Sequence, residues 1–504
     1  MLNTTSRSKL ALAGILVLAT ITRLLGIISR PIWYDEAFTI LFSEKGPEAM
    51  LRGTLGFAGV GGAEPHPIGY YIIVWLWMNI FGESLFSVRM ISVLAGLGIV
   101  CLVYLISREL FDARLARIAM LFAALAPFQI HYSQEIRMYS WMAMWLLLAT
   151  YAYVRGAKTR AWYWWLVFAV SAALAQYMQN LAAFYLVTLA FSPILQKDWR
   201  TVRSVFAAGA GAIILYLPWL VKLPSQFEKI SQSYWVTQPS SSRLFTLLLV
   251  FVTNLPLPDS WLTPALFIAL MVVAIGCYQT FCTIRARAQA ASGGLWILYL
   301  SFAPPLLLFL FSQWKPVYIE RVLLPSGATF LIWLAWALTS TKLPRLVGNL
   351  ALGLLAIASF LGIYQHVTYS GFPYGNFQAL DNTLQMYAGP GDVIVHSNKL
   401  SLLPSIYYDR MLPQVYITDP PGSPEDTLAP AAQEVLGVNA KANIQSAVGN
   451  ATQIFYIIYQ ESIDEYRTAG YATHPDLAYL TSHYDLAGED TWNGLLLYRF
   501  SRKP

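Results

Sequence analysis

Eleven separated apolar runs govern what this chain can fold into. A helix needs about 20 residues to cross the hydrocarbon of a bilayer, and runs of that order fall near 10–28, 86–107, 115–131, 138–154, 161–178, 180–196, 203–221, 260–283, 295–312, 322–340 and 345–363. Backbone groups in lipid have no water to bond, so the runs are read as helices. Only 12% of the 504 residues are charged and 57% are hydrophobic, against about 25% charged in soluble domains. That excludes a soluble enzyme, a fibrous chain and a low-complexity chain. The first run follows Arg7 and Lys9 and continues into Ser29-Arg30-Pro31 without a small-residue cleavage pattern, so it is read as an uncleaved span.

Charge divides the chain in two. Residues 1–363 carry 26 Lys and Arg against 13 Asp and Glu, whereas residues 364–504 carry 7 against 14. The basic residues sit in short connections, where they set topology rather than bind nucleic acid. One run is ambiguous: Pro67 to Gly82 (PIGYYIIVWLWMNIFG) is short and rich in aromatic rings, as an interfacial helix is. If it lies flat, every inner connection is basic: Arg7/Lys9, Arg108/Arg114/Arg117, Arg155/Lys158/Arg160, Lys197/Arg200/Arg203, Arg285/Arg287 and Lys342/Arg345. If it spans, nearly all of them face outward, against the positive-inside rule. The expectation is therefore an integral membrane protein with a cytoplasmic N-terminus, assigned here to a bacterial plasma membrane. Outside lie three loops, 29–85, 222–259 and 313–321, and the acidic C-terminal part on the periplasmic side.

The expected fold is an α-helical polytopic membrane protein of about 11 spans, residues 1–363, followed by an α/β domain, residues 364–504. Strands are expected at Asp392–His396, Gln414–Thr418, Gln453–Tyr459 and Leu495–Phe500, helices at 400–408, 427–438 and 461–468, and a turn at Pro420–Pro424. No repeat of fixed period is visible. The cysteines, Cys101, Cys277 and Cys282, all lie in or beside apolar runs, which leaves the C-terminal domain without a disulfide.

Four outer loops carry groups suited to chemistry. The first opens with Trp33-Tyr34-Asp35-Glu36, two carboxylates in a partly dehydrated place where a carboxylate can serve as a general base. A first-turn or N-cap acid is the plainer reading. The loop continues through Gly53–Gly62 to Glu64-Pro65-His66-Pro67, whose lone histidine is weak support for a metal. Arg89 stands at the outer edge of the second span, costly there unless it snorkels or meets an anion. His131-Tyr132-Ser133-Gln134-Glu135-Ile136-Arg137-Met138-Tyr139 joins two spans, with a snorkelling Glu135–Arg137 pair as its plainer reading. Lys315, Tyr318, Glu320 and Arg321 occupy a loop that is basic on the side where loops are normally poor in cations; Lys315 and Arg321 suit phosphate oxygens, and a Glu320–Arg321 pair is the plainer alternative.

The order W-Y-D-E, H-P-x-x-Y-Y, V-R-M, Y-S-Q-E-x-R-M-Y and E-R-x-L-L-P over residues 8–365 resembles the dolichyl-phosphate-mannose protein mannosyltransferase-like family of GT-C glycosyltransferases, related to the lipid A aminoarabinose transferases. The resemblance implies a polyprenyl-phosphate sugar donor and a lipid, glycan or protein acceptor. Asp35 is then the catalytic base with Glu36 beside it, and Arg89, Arg137, Lys315 and Arg321 face the donor phosphate. His66, Glu135, Tyr139 and Tyr318 complete the site. Val322 stands where the family usually has tyrosine, and Lys315 or Tyr318 is expected to take over that contact. No cofactor is required; Asp35, Glu36 and Glu135 leave a divalent ion open. Attack by an acceptor hydroxyl at an oxocarbenium-like centre asks for cations at the leaving phosphate and a base opposite, so a single displacement with inversion is expected. A transporter or lipid flippase is the main alternative, but its ionisable groups would sit near the midplane in related halves. A tethered sensor comes last, because eleven spans exceed what anchoring needs.

Overall fold

The computed structural model describes residues 4–55, 64–223, 236–286, 291–339, 344–419 and 428–503. The Gly53–Gly62 stretch beyond residue 55, the turn at Pro420–Pro424, the start of the 427–438 helix, Arg287 and Lys342 lie outside them. In chain order the helices are α1 (Thr4–Leu24), α2 (Tyr34–Glu44), α3 (Gly46–Leu55), α4 (Gly69–Phe81), α5 (Leu85–Leu110), α6 (Ala113–Leu125), α7 (Pro127–Tyr132), α8 (Tyr139–Thr159), α9 (Trp162–Met178), α10 (Ala182–Leu195) and α11 (Trp199–Leu220). They continue with α12 (Ser242–Val252), α13 (Asp259–Arg285), α14 (Ala291–Ser312), α15 (Leu324–Leu338) and α16 (Arg345–Thr368). Helices thus occupy all eleven apolar runs. Among the described residues six stretches are long and apolar enough to cross a membrane by length and composition: α5, α11, α13, α14, α16 and the stretch Glu320–Leu338 that contains α15.

The run expected at 115–131 is broken. Proline disfavours a helical conformation in the residue before it, and Ala126, just ahead of Pro127, adopts an extended ψ of 117° that ends α6. The regions read as loops 29–85 and 222–259 also hold helices, α2, α3 and α4 in one and α12 in the other. These are short, 10 to 13 residues, below the length at which an isolated helix persists.

The described residues divide into two compact units: those within 1–27, 89–227 and 236–368 form the first, those within 28–88 and 369–504 the second. In the second unit α17 (Phe377–Tyr387), β1 (Val393–His396), α18 (Lys399–Tyr408), β2 (Gln414–Ile417), α19 (Pro430–Leu436), β3 (Ala440–Lys441), α20 (Ile444–Val448), β4 (Gln453–Tyr459), α21 (Gln460–Thr468), α22 (Pro475–His483), β5 (Tyr484–Trp492) and β6 (Leu495–Arg502) follow one another. The sheet order is β3-β2-β1-β4-β6-β5, parallel from β3 to β4 and antiparallel through β6 and β5. Side chains alternate across it: Ile454, Tyr456 and Ile458 enter one core with α20 and α22, while Phe455, Ile457 and Tyr459 enter the other with α17. The four expected strands are present. β3 has only two residues, and β5 (YDLAGEDTW) is a mostly polar edge strand, so neither shows an apolar signal.

Candidate active site

In the first unit the charged residues of the expected site are built on helix ends. Where α6 stops, its last carbonyls lose their intrahelical donors. Arg23 of α1, wholly buried, supplies replacements: its guanidinium donates to Ala123 O at 3.1 Å and Ala124 O at 3.3 Å, and to Ala19 O of its own helix at 3.2 Å. Thr22 donates to Ala124 O as well. Gly96 of α5 makes room, since a Cβ there would collide with Ser133 Oγ and lie 3.0 Å from Arg23 Nε. This anchors the start of the segment that continues through α7 into the loop 131–139.

That loop is held by a run of side chains. The Gln134 amide nitrogen donates to Arg23 O at 2.9 Å and Leu25 O at 2.8 Å, which turns its oxygen toward His366 Nε2, 2.9 Å away. That ring nitrogen therefore carries the hydrogen. His366 Nδ1 meets His131 Nδ1 at 3.1 Å, and His131 Nε2 meets Glu135 Oε1 at 3.1 Å. Glu135 thus pairs with His131 four residues earlier. Its other oxygen, Oε2, is buried with no hydrogen-bond partner. Ser92 binds the Glu135 carbonyl, and Arg137 and Tyr139 are buried beside it in sequence.

Arg89, at 1% exposure, donates to Ile27 O at 2.6 Å, so its cost inside an apolar helix is met by a main-chain carbonyl where α1 has ended. Arg321 lies over the Tyr139 ring at 5.1 Å. Glu320 pairs with Arg243 at 2.8 Å, an ion pair that joins the 3-10 turn before α15 to α12. Lys315 is half-buried with its ammonium over Trp314 at 5.9 Å. Tyr318 is buried, its hydroxyl has no hydrogen-bond partner, and burial pushes its phenol up, so it stays a neutral donor.

In the second unit Asp35 and Glu36 form the first turn of α2, where the helix dipole favours negative charge. Glu36 is 1% exposed and Asp35 is half-buried. The N-cap is Trp33, extended at φ −121° and without a side-chain cap bond, so neither acid is a cap. His66 Nδ1 pairs with Glu64, which also accepts from Tyr71 OH at 3.2 Å. His66 is therefore tied to a carboxylate two residues away. Among the described residues no three His, Cys, Asp or Glu side chains gather as a metal site, and a divalent ion through Asp35, Glu36 and Glu135 gains no support. Sequence reasoning missed Arg23 and His366. An arginine inside the first apolar run was a usable signal, because a charge there needs a partner; a histidine closing the last run had no motif around it.

The architecture, a body of apolar helices followed by an α/β fold, is shared with solved structures of other proteins. The ArnT of Cupriavidus metallidurans bound to undecaprenyl phosphate superposes with a TM-score of 0.60 over 99% of this chain and 98% of that one, at 12% identity. The Archaeoglobus fulgidus oligosaccharyltransferase gives 0.55 over 97% and 72%, at 14% identity. In sequence, residues 65–221 match the family model described as dolichyl-phosphate-mannose-protein mannosyltransferase. An undecaprenyl phosphate-alpha-4-amino-4-deoxy-L-arabinose arabinosyl transferase of Pseudomonas aeruginosa is 27% identical over 342 residues, 62% of this chain and 58% of the relative. The chain thus spans little more than half the length of that relative, and the resemblance read from its motifs is matched by these comparisons.

Proposed function

We propose that the protein is an integral-membrane glycosyltransferase that moves a hexosyl or pentosyl group from a polyprenyl-phosphate donor to an acceptor hydroxyl on the outer face of the membrane, with inversion. Residues 1–363 form the transferase module and residues 364–504 its outer α/β domain. The carrying observation is the pair of acids in the first turn of α2, in the loop opened by W-Y-D-E: one is buried and the other half-exposed, at the positive end of a helix. Asp35 removes the proton of the acceptor hydroxyl, and Glu36 keeps the turn negative. Arg89, Arg137, Lys315 and Arg321 hold the donor phosphate, whose developing charge fixed cations stabilise without reorganisation. The undecaprenyl phosphate named for the Cupriavidus ArnT, and the undecaprenyl phosphate sugar named for the Pseudomonas relative, support a lipid-linked donor. The test incubates the purified full chain with radiolabelled polyprenyl-phosphate sugars and extracted membrane acceptors. Transfer of label from at least one donor is expected; no transfer from any of them overturns the reading.

A further inference from the structure

An 11-residue helix is marginal by itself, and α2 has no side-chain cap, so its direction must come from packing. Every residue from Glu36 to Ser43 is buried. One side meets α4, where Tyr71 lies edge-on to Phe38 and Phe42 at 6.1 and 5.1 Å. Another meets α18, the helix that follows β1 of the α/β fold, and the neighbouring α3 meets α19. Gly53 of α3 is a point of close approach, since a Cβ there would lie 2.6 Å from the Phe42 ring and 3.3 Å from Val435.

Both ends of α2 are also tied to the C-terminal fold. At the head, beside the two acids in sequence, Trp33 meets the Tyr374 ring edge-on at 6.4 Å, and the Arg30 guanidinium lies 5.1 Å over the same ring. Tyr374 is itself 5% exposed. At the tail, Arg410 gives Nε and Nη2 to Glu44 at 3.1 and 2.9 Å and reaches Glu83 at 3.1 Å. Tyr374 belongs to the linker that enters the α/β fold at the end of β4: Tyr459, the last residue of that strand, donates to Pro373 O at 2.9 Å and takes the Phe372 ring edge-on at 5.1 Å. Doubly wound sheets bind ligands beyond the carboxyl ends of their parallel strands. Here the carboxyl end of β4 is covered by the chain's own linker.

The geometry points to the C-terminal α/β fold as the template that aims the acid-bearing helix, with Tyr374 and Arg410 as its positioning residues. What the helix does rests on the transferase reading; how it is held does not. Four full-length variants test it: Tyr374→Ala, Tyr374→Phe, Arg410→Ala and Arg410→Lys. Displacing a catalytic group by about 1 Å costs up to about a hundredfold, so Tyr374→Ala is expected to lower kcat about ten- to a hundredfold with the donor KM unchanged. Tyr374→Phe, which keeps the ring, stays near wild type. Arg410→Ala loses less, because its pair with Glu44 is 34% exposed at the arginine, and Arg410→Lys, which keeps the positive charge facing Glu44 and Glu83, restores most of it. Hydrogen exchange over residues 34–44 rises in both alanine variants while that of the spans does not change. Unchanged kcat and unchanged protection of α2 in both alanine variants overturn the template role. A wild-type protein that transfers no sugar overturns the transferase reading alone, and the exchange measurement still decides the template.

Discussion

In the first unit Arg23 donates to the carbonyls of Ala19, Ala123 and Ala124, and Arg89 to that of Ile27. In the second unit Arg410, at the margin of water, pairs with Glu44 and Glu83, and Arg30 lies over the Tyr374 ring. The difference follows from solvent. A spanning helix offers a cation no water, so a partner that neither titrates nor rotates is the dependable one, and the breaks at the ends of α1 and α6 supply it. Where water is near, an ion pair contributes little, and orientation comes from packed rings. Loss of Arg23 should therefore damage assembly, and loss of Arg410 should damage aim.

The largest expected effect is on the chemistry. Asp35→Asn leaves α2 its first-turn acid Glu36 and its buried face, so thermal stability changes by no more than about 1 kcal/mol, while transfer falls by about 100- to 10,000-fold, the worth of a general base. Glu36→Gln is milder. Single-turnover rates on the purified chain decide this, and transfer by Asp35→Asn within a few-fold of wild type would remove it from the base role.

Next come the phosphate contacts. Arg89→Ala and Arg321→Ala each remove a charge-assisted donor worth about 1.5–3 kcal/mol, or about ten- to a hundredfold in competition binding of sugar-free polyprenyl phosphate. Arg137→Ala follows them. Lysine restores little where the contact is bidentate. Normal binding by all three variants would place the donor phosphate elsewhere.

Arg23→Leu isolates the assembly side of the comparison. It leaves at least the Ala123 carbonyl without its donor, a loss of about 1–3 kcal/mol, read as a lower Tm of the detergent-solubilised chain. Arg410→Ala should cost less than about 1 kcal/mol. Equal losses in the two variants would erase the distinction drawn between the units.

The sequence disclosed what depends on local pattern. Apolar length placed all eleven helical runs, and alternation placed β1, β2, β4 and β6. The acids of α2 were legible as a first-turn pair. Partners brought together over long separations were not: His366 reaches His131 across 235 positions and Arg410 reaches Glu44 across 366, and no periodicity encodes either meeting. The broken α6 was half legible, because Pro127 was visible but the arginine that repairs the break is about 100 positions away.

The smallest effect separates the units by pH. His396, at the end of β1, is wholly buried between Ser401 Oγ at 3.0 Å and Gln414 Oε1 at 2.7 Å. Burial pulls its imidazole down from 6.5 to about 4, against the opposing hydrogen bond that Nε2 gives to Gln414 Oε1. A histidine lowered in the folded state takes its proton first when unfolded. Its neutral form therefore gives full stability above about pH 6.5, and that contribution declines as pH falls through the window from 6.5 to about 4. At pH 5.5 the loss from this one group is about 1 kcal/mol. His474, also lowered to about 4 by burial, adds a term of the same sign. Hydrogen exchange of β1 and β4 in the full chain, corrected for intrinsic rates, should show weaker protection at pH 5.5 than at 7.5, with α5 and α13 unchanged. His396→Gln should remove the part of that difference due to His396 and leave the part due to His474. The same pH dependence in His396→Gln as in wild type would mean that the acid sensitivity of the α/β fold lies elsewhere.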